Sequence, residues 1–279
     1  MSTDRDWEEW GSADPYFGVC SDDTYRRSNL TSQAREQFFR SGEAHIRNVI
    51  ARLHEHFDST FTPHSALDFG CGVGRLTIPL AMRANQVLGI DISRSMIEEA
   101  VRNCDEAGID NVSFAISDDA LSAAPWKFDI VHTNIVLQHI PWRRGRRIIQ
   151  QLADRVEKNG YLCAQVLTRC SSPVLIRRLV KLRYAIPALN WTRNLLRRRP
   201  AFEPAMQLHV YDLKSIISDL GLRGFMPILL IVSPPIPTFE FESTLLISRR
   251  ISANDSLEPF SACMRFDPVC GLYGTRHRP

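Results

Sequence analysis

The stretch Leu67-Asp68-Phe69-Gly70-Cys71-Gly72-Val73-Gly74-Arg75 decides the fold of this chain. Apolar residues run into Asp68, three alternating glycines follow, and an apolar pattern resumes at Leu76. This order is typical of a strand, a tight turn and the start of a helix. Glycine suits such a turn because it admits backbone conformations closed to other residues and lets a ligand touch the backbone.

Strand and helix patterns alternate along the centre of the chain. The strand patterns lie at 65–69, 86–90, 112–116, 128–136 and 161–167, with helical patterns between them. Strands separated by helices pair in parallel through right-handed crossovers. The sequence therefore predicts a doubly wound α/β sheet. A helix at 211–220 and two more strands at 227–233 and 243–248 close the series.

The segments that flank the sheet have less regular patterns. Residues 1–60 are predicted to form an N-terminal arm and a helical cap. Aromatic residues scattered through 1–30 indicate an irregular arm that packs on the main body, since so many aromatic rings rarely stay in water. A helical pattern covers 31–57, and Ser41-Gly42 could divide it into two helices. The main domain is predicted over 61–250, with 251–279 as a poorly specified tail.

The composition favours a soluble globular protein of the cytoplasm. Of 279 residues 44% are hydrophobic and 23% charged, and the net charge is only +3. No apolar run reaches the roughly 20 residues of a membrane span, and the acidic, polar N-terminus does not resemble a secretory leader. The seven cysteines are scattered without a CxxC pair, which predicts reduced thiols and no metal site.

A basic segment at 170–205 interrupts the α/β pattern. It holds many arginines and no acidic residue before Glu203, and Pro187 divides its apolar stripe. We therefore predict two short basic amphipathic helices inserted after the fifth strand. They would cover an anionic or lipid-linked small-molecule partner or touch a membrane surface; the alternative is a solvated face on helices that pack through their leucines. A nucleic-acid partner is disfavoured, because no RNA-binding module is visible and the charge is nearly balanced.

Polar residues stand at the ends of four predicted strands. They are Asp68, Asp91, the pair Asp118-Asp119, and Asn134. Ligands of open α/β sheets bind outside the carboxyl ends of the strands, and a carboxylate about 20 residues after the glycine turn commonly holds a ribose. Asp91 is in that place. Structural caps are the alternative for any one of these residues.

The spacing of the glycines bears on which nucleotide cofactor binds. The dinucleotide fingerprint is G-x-G-x-x-G, whereas this chain has Arg75 where the third glycine would fall. A pyrophosphate favours helix-terminal N–H groups, and Asp68 would repel it. An α-amino group would be attracted by that carboxylate, directly or through water. The site therefore favours S-adenosylmethionine over NAD.

Several motifs, in the right order, resemble the class I S-adenosylmethionine-dependent methyltransferases. They are 67–74, 89–93 with Met96, 118–119 and 128–140, so the resemblance covers roughly 65–167, with weaker agreement at 206–248. It implies a Rossmann-like sheet of seven strands, mostly parallel, with the last strand antiparallel. It also implies that the N-terminal helices cover the cofactor.

The same resemblance implies a set of cofactor contacts. Gly70, Cys71 and Gly72 would line the methionyl part, and Asp91 would hold the ribose. Ile92 would pack on the adenine, and either Asp118 or Asp119 would bind the adenine amino group. Asn134 lies in the last of the shared motifs and is included among the cofactor-binding candidates.

The chain is therefore expected to methylate an oxygen or nitrogen atom of a small molecule or biosynthetic intermediate. An alcohol acceptor usually needs a base, and His139, just beyond the fourth strand, is the best-placed candidate. A helix-cap or packing role is its alternative; His132 is expected in the core, and His209 and Tyr211 in structural roles. A non-catalytic binding protein on the same fold is the alternative function, followed by an NAD-linked oxidoreductase.

Overall fold

A seven-stranded sheet forms the centre of the protein in a computed structural model that describes residues 3–197, 199–233 and 241–251. The strands are β1 Ser65–Phe69, β2 Gln86–Asp91, β3 Val112–Ile116, β4 Phe128–Thr133, β5 Val156–Cys170, β6 Phe225–Ser233 and β7 Phe241–Arg250. Their order is β3-β2-β1-β4-β5-β7-β6. β7 pairs antiparallel with both neighbours and the other pairs are parallel. The predicted Rossmann-like, mostly parallel sheet is confirmed.

Helices cover both faces of this sheet and one of its ends. They are α1 Thr3–Ala13, α2 Pro15–Val19, α3 Ser32–His56, α4 Thr77–Ala81, α5 Arg94–Ala107, α6 Trp142–Asp154, α7 Val174–Ala185, α8 Pro187–Leu196 and α9 Leu213–Gly221, with 3-10 turns at Asp23–Tyr25 and Leu137–His139. One apolar layer packs α6 and α9 on the sheet, and a second packs α3 and α4 on the opposite face. Among the described residues no helix is long and apolar enough to cross a membrane.

The N-terminal arm packs on the main body as predicted, but it is helical and not irregular. Trp10, Tyr16 and Phe17 are buried. The Tyr16 hydroxyl lies 2.7 Å from Glu99 Oε1 and 2.9 Å from Asn103 Oδ1, both on α5. The pattern in the sequence is weak because α1 and α2 are short, and their conformation is stabilised mainly by these tertiary contacts.

The predicted division of the 31–57 helix is wrong, since α3 runs without a break. Thr31 caps its start by accepting a hydrogen bond from the Ala34 N–H. Gly42 is needed for a different reason: a Cβ there would lie 2.1 Å from the carbonyl oxygen of Arg75. The glycine therefore allows α3 to lie directly against the turn that follows β1.

Other element boundaries differ by a few residues. β4 ends at Thr133, not 136, and Ile135 beyond it has a φ of 64°. α4 is only five residues long. The basic insertion forms two helices as predicted, α7 and α8. Of the predicted tail at 251–279, residues 252–279 lie outside the described residues, as do residues 234–240 between the last two strands.

Candidate functional site

The glycine turn after β1 brings backbone within contact distance of two other segments. Gly70 has a φ of 71° and Gly72 a φ of 53°, in the left-handed region that favours glycine. A Cβ on Gly70 would lie 2.3 Å from Val136 Cγ2, and one on Gly72 would lie 2.6 Å from Val19 Cγ2. These positions need glycine for both conformation and space.

Most N–H groups of this turn are already used by the protein itself. The amides of Gly70 and Cys71 donate to the carbonyl oxygen of Ile90, and the Gly72 amide donates to Asp91 Oδ2 at 2.9 Å. The following helix does not begin until Thr77. A pyrophosphate needs several free amides at a helix N-terminus, so this turn does not suit a dinucleotide.

Asp91 is the main polar group that the turn presents. Its Oδ2 accepts from Gly72 and its Oδ1 accepts from the Ser93 N–H at 2.9 Å. Each oxygen keeps lone-pair capacity for a further donor, and the residue lines a cavity. Burial raises the pKa of Asp91 to about 6. An ionised carboxylate here can therefore accept from two hydroxyl groups of a ligand.

The cavity lies between the carboxyl ends of the strands and the N-terminal helices, with about 810 Å³ of empty volume. Eight of the ten predicted site residues line it: Gly70, Gly72, Asp91, Ile92, Asp118, Asp119, Asn134 and His139. Its lining combines several carboxylates with apolar side chains, as a ligand with both polar and apolar parts requires.

Asp68 and Cys71 are not among the residues that line this cavity. Asp68 is only 2% exposed, its Oδ2 accepts from Thr77 Oγ1 at 2.7 Å, and its Oδ1 lies 3.3 Å from His132 Nδ1. The structure therefore places this carboxylate beneath the turn, where it braces α4 and β4. The Cys71 side chain is buried against Gly89.

Several of the cavity residues that sequence reasoning did not single out lie on the N-terminal helices or bind them. Trp7 and Val19 line the cavity. Arg144 donates to both carboxylate oxygens of Asp4, at 2.7 and 3.1 Å, and to Asp119 at 2.8 Å. This ion-pair network ties α1 across the cavity mouth. In the sequence Arg144 was only one of four arginines at 143–147.

His139 faces the same cavity from the 3-10 turn after β4. Its Nδ1 lies 2.8 Å from the carbonyl oxygen of Gln207, so this nitrogen carries the proton, and Nε2 accepts from the side-chain amide of Gln138 at 3.2 Å. Burial lowers the pKa of His139 to about 4. The Tyr211 hydroxyl, 2.7 Å from the Leu137 carbonyl oxygen, holds the turn in place. A neutral imidazole is thus fixed at the cavity, with Trp7 packed edge-on at 4.8 Å.

The sequence matches a known family and named relatives. Residues 66–160 match the methyltransferase domain family. A ubiquinone biosynthesis O-methyltransferase of Methylococcus capsulatus is 32% identical over 114 residues, 39% of this chain and 48% of that protein. The enzyme of the same name from Coxiella burnetii is 26% identical over 64% of this chain and 72% of its own length. The chain thus spans about half the length of the first of these relatives.

Two solved structures share the fold. Magnesium protoporphyrin IX methyltransferase from Synechocystis PCC 6803, with bound SAH, has a TM-score of 0.59 at 21% identity and covers 89% of this chain and 100% of its own. An N-methyltransferase from Bradyrhizobium japonicum WM9, in complex with S-adenosyl-L-homocysteine, has a TM-score of 0.54 at 16% identity. The match covers 88% of this chain and 100% of that one. At these identities the likeness is one of fold.

Proposed function

We propose that this chain, whose residues 66–160 match the methyltransferase domain family, transfers a methyl group from S-adenosylmethionine to a small molecule. The observation that carries the proposal is Asp91. Its carboxylate lies at the cavity edge, held by the Gly72 and Ser93 amides, with lone pairs left for a ribose. The relatives named as O-methyltransferases favour an oxygen acceptor, and nitrogen is the alternative.

The other cavity residues would hold the remaining parts of the cofactor. Ile92 and Met96 offer apolar surface for the adenine. Asp118 is the better partner for the adenine amino group, because the charge of Asp119 is already paired with the Arg144 guanidinium, whereas Asp118 Oδ1 accepts from a backbone amide, that of Ser122. Gly70, Gly72 and Asn134 line the space left for the methionyl part. Asp68 would act on that part only through its charge beneath the turn.

A second, smaller cavity would receive the acceptor. In this structure it is narrow, and it shares Thr3, Trp7 and His139 with the cofactor cavity. Asp6, Trp10, Ala205, Met206 and Gln207 complete its wall. This wall combines aromatic and apolar side chains with polar ones, which favours an acceptor with a planar or apolar body and polar groups.

The residues of this chain have three tasks in such a transfer. The bound cofactor supplies an electrophilic methyl group on a sulfonium whose leaving group needs no proton. Trp7 and α1 cover the cavity and exclude water, and the shared wall aligns an acceptor atom, which can supply several kcal/mol of the rate enhancement. His139 Nε2 would accept the proton of an acceptor hydroxyl that replaces the Gln138 amide as its hydrogen-bond partner, since Nδ1 is occupied by Gln207.

Labelled methyl transfer tests the proposal. The protein is incubated with S-adenosylmethionine carrying a labelled methyl group and with small-molecule fractions of a cell extract. We expect label to enter a small molecule, and mass spectrometry then identifies the acceptor. Binding of the cofactor without transfer to any fraction would instead support a non-catalytic binding protein on the same fold.

The pKa of Asp91 makes cofactor affinity depend on pH. The pKa is raised to about 6, so the ionised form that accepts from ribose hydroxyls predominates only above that pH. Affinity for S-adenosylhomocysteine is therefore expected to be constant above about pH 7 and to fall as the pH drops through 6, by up to about tenfold per pH unit. Calorimetric titration between pH 5 and 8 measures this; a flat profile down to pH 5 would contradict the role given to Asp91.

Replacing His139 tests its role as base. His139→Gln retains a possible donor to the Gln207 carbonyl oxygen but cannot take up a proton. We expect methyl transfer to an oxygen acceptor to slow about 100-fold or more, with little change in cofactor affinity. His54→Gln, on the exposed part of α3, is the control. Equal transfer rates for His139→Gln and the native protein would leave His139 with a packing role.

A further inference from the structure

Helices α7 and α8 and the chain up to Glu203, here called the basic hairpin, expose their apolar side chains. Leu175 is 69% exposed, Leu196 82% and Phe202 73%, and the others at or above about 40% are Val174, Ile176, Leu179, Leu182, Ile186, Leu189, Trp191 and Leu195. No apolar residue in the described part of the hairpin is buried. An ordinary surface helix turns its apolar stripe toward the core.

Two uncharged polar side chains are instead buried inside the hairpin. The amides of Asn190 and Asn194 each donate to the carbonyl oxygen of Glu203 at 2.9 Å and so close the hairpin on itself. Ion pairs attach it to the N-terminal segment: Arg26 Nη1 donates to Glu203 Oε2 at 3.0 Å, and Arg199 Nη2 lies 3.6 Å from Asp23 Oδ1. The hairpin thus presents a wide apolar surface outward. Surfaces of this kind commonly mark a contact with a protein or a membrane.

Positive charge surrounds this apolar surface. The basic residues in the sequence of the hairpin are Arg177, Arg178, Lys181, Arg183, Arg193, Arg197, Arg198 and Arg199, and residues 170–202 contain no acidic residue. Arg199 is paired with Asp23 and Glu203. For Arg177, Arg178 and Lys181, no carboxylate in the described part of the chain lies within ion-pair distance. Exposed leucines together with unpaired cations match the lipid–water boundary of an anionic membrane.

We propose that the basic hairpin docks on the surface of an anionic phospholipid bilayer. A second copy of this chain would bring like charges face to face, which disfavours a dimer through this surface. Aliphatic side chains dominate the surface, whereas single-stranded nucleic acids bind on stacked aromatic rings. An anionic bilayer offers negative headgroups to the cations of the hairpin and a hydrocarbon layer to its exposed apolar side chains.

Docking would place the acceptor cavity beside the membrane. The chain leaves the hairpin and reaches Ala205, Met206 and Gln207, which line that cavity. An acceptor drawn from the bilayer would then enter beside Trp7. This consequence depends on the proposed methyl transfer, whereas docking itself does not.

Vesicle co-sedimentation, without cofactor or acceptor, tests docking independently of methyl transfer. The full chain is mixed with vesicles of phosphatidylcholine alone or of equal parts phosphatidylcholine and phosphatidylglycerol. We expect binding to the anionic vesicles only, weakened by added salt because screening reduces the attraction between lipid and arginine. Absence of binding to both kinds of vesicle would overturn the proposal and leave the methyl-transfer proposal standing.

Two hairpin variants and one control variant test whether the basic hairpin is the surface that binds the vesicles. Arg177→Glu with Arg178→Glu is expected to weaken vesicle binding at least about tenfold. Leu175→Ser with Leu179→Ser should weaken it while leaving the charge unchanged. Arg143→Glu with Arg147→Glu, on the exposed side of α6, makes the same change in net charge away from the hairpin and should have a much smaller effect.

Three further outcomes would overturn the proposal. One is an equal loss of binding in the hairpin and control charge variants. Another is a dimer, seen by analytical ultracentrifugation, that Leu175→Ser with Leu179→Ser dissociates while vesicles do not bind. The third is salt-sensitive binding to an RNA oligonucleotide with no binding to vesicles.

Discussion

Asp91→Ala is expected to lower the affinity for S-adenosylhomocysteine about 100-fold or more. The substitution removes both oxygens that would accept from the ribose hydroxyls. A hydrogen bond to a charged group contributes about 1.5–3 kcal/mol, and each 1.4 kcal/mol corresponds to about a tenfold change in the dissociation constant. The same change leaves the amides of Gly72 and Ser93 without their acceptor. Isothermal titration calorimetry measures the loss.

Asp110→Ala is the matched control for this experiment. Asp110 is exposed and lies outside the cavity, so removing its carboxylate should leave the affinity unchanged. Circular dichroism of both variants establishes that they are folded. A folded Asp91→Ala protein that binds S-adenosylhomocysteine like the native chain would refute the assignment of Asp91 to the ribose.

Gly70→Ala is expected to lower the free energy of unfolding by about 3 kcal/mol. A φ of 71° costs a side-chain-bearing residue about 1–2 kcal/mol. The added Cβ would also lie 2.3 Å from Val136 Cγ2, and overpacking costs about 1–3 kcal/mol. Because Val136 lines the cofactor cavity, its displacement should also weaken cofactor binding. Denaturant unfolding and calorimetry measure the two effects.

Alanine substitutions at two other glycines separate the conformational cost of Gly70→Ala from the cost of the contact with Val136. Gly108 has a φ of 67° with nothing near its Cβ position, so Gly108→Ala should show the conformational cost alone, about 1 kcal/mol. Gly221 is the last residue of α9 and its Cβ position is open, so Gly221→Ala should change stability little. If Gly70→Ala and Gly108→Ala cost the same, the predicted contact with Val136 would be wrong.

The sheet and the glycine turn could be predicted from sequence because they depend on local patterns. Alternating strand and helix signals indicate parallel strands, and polar residues at strand ends then fall at one edge of the sheet. Most of these residues line the same cavity for that reason. The helical character of 3–19 could not be predicted, because α1 and α2 are held by contacts with α5 that are distant in sequence.

Side-chain direction accounts for the other differences at the site. Position in the sequence put Asp68 next to the glycines, but its side chain points beneath the turn, toward Thr77 and His132. The sequence does not distinguish Arg144 from the other arginines at 143–147, whereas in the structure it joins α1 to Asp119. The basic hairpin has the charge and the helices predicted from sequence. That its leucines face outward could not be predicted, because it depends on the burial of Asn190 and Asn194, which donate to the carbonyl oxygen of Glu203.

Calorimetric titration of the native chain at pH 8, once with S-adenosylhomocysteine and once with NAD, tests the central claim most directly. We expect binding of S-adenosylhomocysteine at one site per chain and no heat of binding for NAD, because the amides of Gly70, Cys71 and Gly72 are already used. Binding of NAD without binding of S-adenosylhomocysteine would contradict the account.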